Sequence, residues 1–164
     1  MKIVFLDFDG VLNSFFILEE KIKDPNFNFD LLQEDCICCL NSIFHKISDE
    51  TKIVISSLWR ITKTVEELKK VLKDSGFFFF DRVIDKTPVV FNKKLQATIY
   101  HRPLEIKTWL EKNKHLDVED YLIIDDVPLT RYNLHGLNKE KIYQTNSKTG
   151  LIYQDIDIIV EMIL

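Results

Sequence analysis

Short, unbroken apolar runs alternate along the chain with longer segments whose apolar residues recur every three or four positions. Ile3 to Leu6 is the first run, Lys52-Ile-Val-Ile55 the second, Tyr121-Leu-Ile-Ile124 the third and Lys141-Ile-Tyr-Gln144 a fourth. Runs this short and this uniformly apolar suit strands buried on both faces, as in a parallel sheet. Between them, Leu32, Cys36, Cys39, Leu40, Ile43 and Ile47 mark an amphipathic helix over 31–47. Asp30 with Gln33 reads as its capping box, and Thr64 with Glu67 as that of a second helix ending at Gly76. Pro103 fits the first turn of a third helix, which carries Ile106, Trp109 and Leu110 on one face and Glu105 early enough to suit the macrodipole. Ile156, Ile159, Val160 and Ile163 belong to a terminal helix. Strand and helix alternating in this order predict an α/β fold, a three-layer α/β/α sandwich around a mostly parallel sheet.

Three stretches fit the alternation less well. The segment from 14 to about 29, with Asp24-Pro25-Asn26, reads as loop. The four aromatics Phe77 to Phe80 read as a buried strand or core edge, and residues 85–101, where Pro88 argues against a long element, as loop near the site.

At 164 residues the chain suits one domain over 1–164 with a single core, large enough to bury about two thirds of its unfolded surface. A net charge of -4, spread without an acidic or basic tail, gives no bulk signature of a nucleic-acid binder, although a phosphate site needs only a few placed cations. The opening Met-Lys-Ile-Val-Phe-Leu meets Asp7 before any small-residue cleavage site, and no apolar run approaches the roughly 20 residues that span a bilayer. A cytoplasmic protein with no membrane partner is the expectation. Cys36, Cys38 and Cys39 lie too close together to staple distant parts of a fold and lack a second ligand pair for zinc, so two of them fall to a helix's core face. His45, His101, His115 and His135 share no ligand-pair spacing. Of these only His101, beside Arg102, is a candidate to touch a substrate.

The chemistry lies where the strands stop. Asp7 and Asp9 follow the first run at i and i+2, with Gly10 breaking the strand; Ser56 follows the second run, and Asp125 with Asp126 follows the third. In an open parallel sheet the carboxyl ends of the strands converge on one edge, so these groups become neighbours. Four carboxylates crowded into a poorly solvated site repel one another, and a hard cation removes the conflict. All-oxygen donors point to Mg2+ in preference to zinc, and the whole pattern to phosphoryl transfer.

Asp-Phe-Asp-Gly-Val, then Ser56, then the Asp-Asp pair, each at a strand end and in this order, resemble the haloacid dehalogenase (HAD) superfamily of phosphatases. The resemblance implies that Asp7 is the nucleophile, forming an aspartyl-phosphate, and Asp9 the general acid and base. It implies that Ser56 holds phosphoryl oxygens. Asp7, the main-chain carbonyl of Asp9, and the Asp125/Asp126 pair would bind magnesium, Asp126 directly and Asp125 through water. The superfamily also needs a cation ahead of its last strand, for which Arg102 in His-Arg-Pro-Leu-Glu-Ile-Lys and Lys107 are the two candidates. Ser-Ser-Leu-Trp-Arg, Arg-Pro-Leu-Glu-Ile-Lys-Thr-Trp-Leu and Thr-Gly-Leu are further similar to the small HAD domains associated with RNA repair proteins. That likeness would put Arg60 on substrate phosphate, with a forked geometry that lysine lacks; the plainer reading of Trp59 and Arg60 is a core aromatic beside a surface charge.

Only one helix and a loop are expected between the first two motifs, so no large cap domain fits and the cleft should be open. An open cleft favours a phosphorylated RNA or DNA end, with Lys93 and Lys94 as further backbone-tracking cations beside Arg60 and Arg102. A phosphoprotein or a small nucleotide are the rival substrates, Ile-Ile-Asp-Asp-Val-Pro being also similar to phosphatases acting on polymerase tails. A non-catalytic binding module is opposed by the presence of all four carboxylates and Ser56.

Overall fold

Strands β1 (Lys2–Leu6), β2 (Lys52–Ile55), β3 (Val83–Lys86), β4 (Asp120–Asp125) and β5 (Ile142–Gln144) form one parallel sheet in the order β3-β2-β1-β4-β5. The computed structural model describes residues 1–24, 26, 28, 30–90, 101–132 and 136–164. Lys93, Lys94 and His135 lie outside the described residues.

Helices cover both faces of the sheet, and the alternation of side chains along each strand decides which face each residue serves. Val4, Leu6, Ile53, Ile55, Leu122 and Ile124 pack into one core with α2 (Glu34–Lys46), α3 (Val65–Asp74) and α6 (Asp155–Ile163). Ile3, Phe5, Val54 and Ile123 pack into the other with Ile106 and Trp109 of α4 (Arg102–Lys112) and Tyr132 of α5 (Leu129–Tyr132). The architecture is the three-layer α/β sandwich expected from the alternation of the sequence.

Register places the site. Leu6 pairs with both Ile55 and Ile124, so the residues that follow, Asp7, Ser56 and Asp125, stand at one level on the sheet edge. Backbone bonds fix that level, from Ser56 N–H to the Leu6 carbonyl (2.9 Å) and from Asp7 N–H to the Ile124 carbonyl (3.1 Å). By the same alternation all three fall on the α4 side of the sheet.

Several local readings change. The stretch expected to be loop after β1 contains α1 (Phe15–Lys21), started by Ser14, whose hydroxyl accepts from Ile17 N–H (3.2 Å). Two helices, not one, thus separate the first two motifs, and among the described residues neither forms a separate domain. The helix expected over 31–47 starts at Glu34, because Asp30 pairs with Lys63 and the Gln33 side chain accepts from Ser14 N–H (3.1 Å), leaving no side-chain cap. The Thr64–Glu67 capping box is present. Phe77 to Phe80 is not a strand: Phe77 is buried but Phe78 is exposed, and the edge strand β3 begins only at Val83, inside the stretch the aromatic run and Pro88 obscured. Cys36 and Cys39 are buried and Cys38 exposed, all three free. Among the described residues no helix is long and apolar enough to cross a membrane.

Candidate active site

Arg102 is the first residue of α4 and reaches across the sheet edge to the ends of two strands. Its Nη1 donates to both carboxylate oxygens of Asp125 (2.8 and 2.9 Å) and to Asp7 Oδ2. Asp7 Oδ1 accepts from Phe8 N–H (2.7 Å), while Asp125 also accepts from Val127 N–H (2.9 Å) and the Tyr132 hydroxyl (2.7 Å). Asp7, Asp125 and Arg102 are all buried, so each charge depends on the others for compensation.

Compensation is incomplete. Asp7, Asp125 and Asp126 can each bring one oxygen within 4.8 Å of the other two. Burial pushes the Asp7 carboxyl up to about 7; Arg102 opposes the shift and Asp125 adds to it. Burial and the neighbouring Asp125 push Asp126 up to about 6. Three carboxyl groups beside one buried guanidinium would, once ionised, leave an excess of negative charge, and this set of hard oxygen donors fits a divalent cation such as Mg2+.

Asp9 stands two residues on, half-buried, and is held by a residue from another element. Trp59, in the short 3-10 turn Leu58–Ile61 after β2, donates from Nε1 to Asp9 Oδ2 (2.9 Å) and stacks edge-on against Phe8. Gly10 takes a left-handed φ of 79°, and an added Cβ there would lie 2.7 Å from Asp126 Cβ, so only glycine lets the first motif close onto the Asp126 side chain. The Gly10 carbonyl accepts from the Thr145 hydroxyl after β5 (2.7 Å). The Ser56 hydroxyl is fully buried at the same edge with no hydrogen-bond partner among the described residues. A cavity of about 450 Å3 opens over this edge, lined among others by Asp7, Asp9, Phe15, Leu58, Arg102 and Asp126.

Residues 3–156 match the family described as HAD domain in Swiss Army Knife RNA repair proteins. The chain belongs to this family. No curated protein and no solved structure matches it significantly. The HAD superfamily resemblance carried by the three strand-end motifs thus holds for the chain nearly from end to end.

The other candidate residues of this HAD domain fall differently. Lys107 is exposed on α4, whereas Arg102 meets Asp7, so of the two cations only Arg102 stands among the strand-end carboxylates. Arg60, expected on substrate phosphate or else as a surface charge, is buried: it ion-pairs with Glu105 and donates to the carbonyls of Thr87 (3.1 Å), Ser57 (2.8 Å) and Ser56 (3.3 Å). Burial holds the Arg60 guanidinium down and pushes the Glu105 carboxyl up, each partly offset by the other's charge. The pair fastens the turn after β2 to α4, so Glu105 has a structural partner in addition to its expected place in the first turn of the helix. His101 is buried, with Nε2 lacking a hydrogen-bond partner among the described residues. Trp59 packs against the core, as its plainer reading has it, and its bond to Asp9 is an addition; the sequence gives no signal for that bond or for Tyr132 and Thr145, since the partners Asp9, Asp125 and Gly10 come from other elements.

Proposed function

We propose that this HAD domain is a magnesium-dependent phosphomonoesterase acting through an aspartyl-phosphate, with a phosphorylated nucleic-acid end as its substrate. The convergence of Asp7, Asp125 and Asp126 around Arg102 is the observation that carries this reading. Asp7, the Asp9 carbonyl and Asp126 would hold Mg2+, with Asp125 behind them; when bound it supplies the positive charge that lets an anionic nucleophile approach an anionic phosphate. Asp7 would attack phosphorus as the ester P–O bond breaks, and Asp9 would give its proton to the leaving oxygen. Asp9 would then take a proton from water as that water attacks phosphorus, breaking the Asp7–phosphate bond and releasing inorganic phosphate. Ser56, whose buried hydroxyl has no partner among the described residues, and Arg102 would bind the phosphoryl oxygens.

The open cleft and the family to which the chain belongs support a macromolecular phosphate. Hydrolysis of an aryl phosphate with magnesium, lost on chelation and in Asp7→Asn, tests the chemistry. Equal rates with and without chelator would reject the metal. Substrate class is tested by comparing a terminally phosphorylated oligonucleotide, a phosphopeptide and a mononucleotide, the oligonucleotide's advantage shrinking as salt rises. A phosphopeptide preference would make the domain a protein phosphatase instead.

A further inference from the structure

A second cavity, of about 790 Å3, lies beside the first, and Phe15 lines both. Its walls are the start of α1, Gln33 ahead of α2, and the turn 147–149. These walls are bolted together: Phe15 N–H donates to the Ser147 carbonyl (2.8 Å) and Ser14 N–H to the Gln33 side chain (3.1 Å). The cavity is therefore preformed, and its size is in the range that holds a small ligand or one unit of a polymer.

What lines it indicates the occupant. Phe15 is 43% and Phe16 65% exposed, whereas Phe5, Phe8, Phe44 and Phe77 are buried, so two adjacent rings at the cleft face outward at a cost in apolar burial. Among the described lining residues Lys148 adds a cation and Glu19 a carboxylate, with Ser147, Thr149 and Gln33 as neutral hydrogen-bonding groups. Aromatic faces next to a cation, adjoining the proposed phosphate site through Phe15, are what a single nucleic-acid strand requires: rings for bases and charge for the backbone. Arg60 cannot serve that strand, being committed to Glu105 and three carbonyls.

We propose that the cavity beyond Phe15 is a subsite for the second nucleotide of a single-stranded nucleic acid whose terminal phosphate lies at Asp7, with Phe16 stacking on a base and Lys148 meeting the following phosphate. The inference rests on the phosphatase reading for the place of the terminal phosphate, and not for the binding itself.

The test is a length series of a mononucleotide and single-stranded di- and trinucleotides phosphorylated at either end, read in two ways. Turnover is measured on the wild-type protein. Affinity is measured by fluorescence anisotropy on Asp7→Asn with magnesium, which reports binding whether or not the protein is a phosphatase. The dinucleotide should bind and react better than the mononucleotide by roughly 10-fold, mostly in KM, the size expected for one stacked base. Phe16→Ala should bring that ratio close to one, and Lys148→Ala should flatten its salt dependence. Turnover of aryl phosphate and mononucleotide with no gain for the dinucleotide would leave the phosphatase standing and overturn the subsite. No turnover of any ester, with the length-dependent and Phe16-dependent affinity intact, would do the reverse. An equal gain for a phosphopeptide, also lost in Phe16→Ala, would make the cavity a general apolar subsite and overturn the nucleic-acid assignment.

Discussion

The indole N–H of Trp59 donates a 2.9 Å hydrogen bond to Asp9 Oδ2, tying the turn after β2 to the carboxyl proposed as general acid. Trp59→Phe keeps a ring against Phe8 and removes only the donor, so the fold should survive while Asp9 loses its fixed orientation. An alkyl phosphate, whose leaving oxygen needs a proton, should lose far more kcat than an aryl phosphate with a good leaving group, by roughly 10-fold or more. Equal losses on both substrates would mean that Trp59 serves packing alone.

Arg102 and Lys107 should differ sharply. Arg102→Ala leaves Asp7 and Asp125 buried without their cation, and we expect kcat/KM on an aryl phosphate to fall by about 100-fold or more. Lys107→Ala, on an exposed face of α4, should change neither rate nor Tm measurably. Near wild-type kinetics in Arg102→Ala would remove it from the site.

Breaking the buried Arg60–Glu105 pair should cost about 3–5 kcal/mol, because the surviving charge has no solvent to turn to. For a domain of this size that lowers Tm by roughly 6–20 °C, measurable by circular dichroism. The same substitution, Glu105→Ala, should reduce activity only through displacement of the turn carrying Ser56 and Trp59. A stable Glu105→Ala protein would show that Arg60 finds other partners.

The stability of the metal-free protein should fall as pH rises through neutrality. Asp7 and Asp126 are raised from an ordinary 3.8 to about 7 and about 6, so the folded state holds protons that the unfolded chain has released. The stabilisation they give is complete below about pH 4 and lost as pH climbs through those raised values. Magnesium bound as proposed would stabilise the deprotonated cluster, so the Tm gain on adding it should be larger at about pH 8 than at about pH 5. A gain independent of pH would place the cation elsewhere.

Asp126→Asn should raise the magnesium needed for half-maximal rate more than Asp125→Asn. Asp125 is occupied by Arg102, Tyr132 and Val127 N–H, which suits a carboxylate that orients its surroundings. Asp125→Asn should instead lower Tm. A metal titration in which Asp125→Asn is the more impaired would reverse the two roles.

The sequence by itself determined the layers and where the strand-end polar groups gather. Its unbroken apolar runs can be satisfied only by strands covered on both faces, and polar groups placed directly after such runs must gather at one sheet edge; Asp7, Ser56 and Asp125 do so because Leu6, Ile55 and Ile124 are in register. Capping at Thr64 and the proline at the start of α4 were equally local, and equally legible. Tertiary structure decided what depends on partners from distant elements. Arg102 and Lys107 are both cations on one helix, and only the placement of α4 puts the first on Asp7. Arg60 reads as a phosphate ligand until Glu105 is seen to take it inward, and Trp59 reads as core, which it partly is, without a sign that its N–H meets Asp9. Edge strand β3 escaped notice for a related reason: an edge strand is half exposed, so its apolar pattern is thin, and its pairing with β2 is what makes Val83–Lys86 a strand.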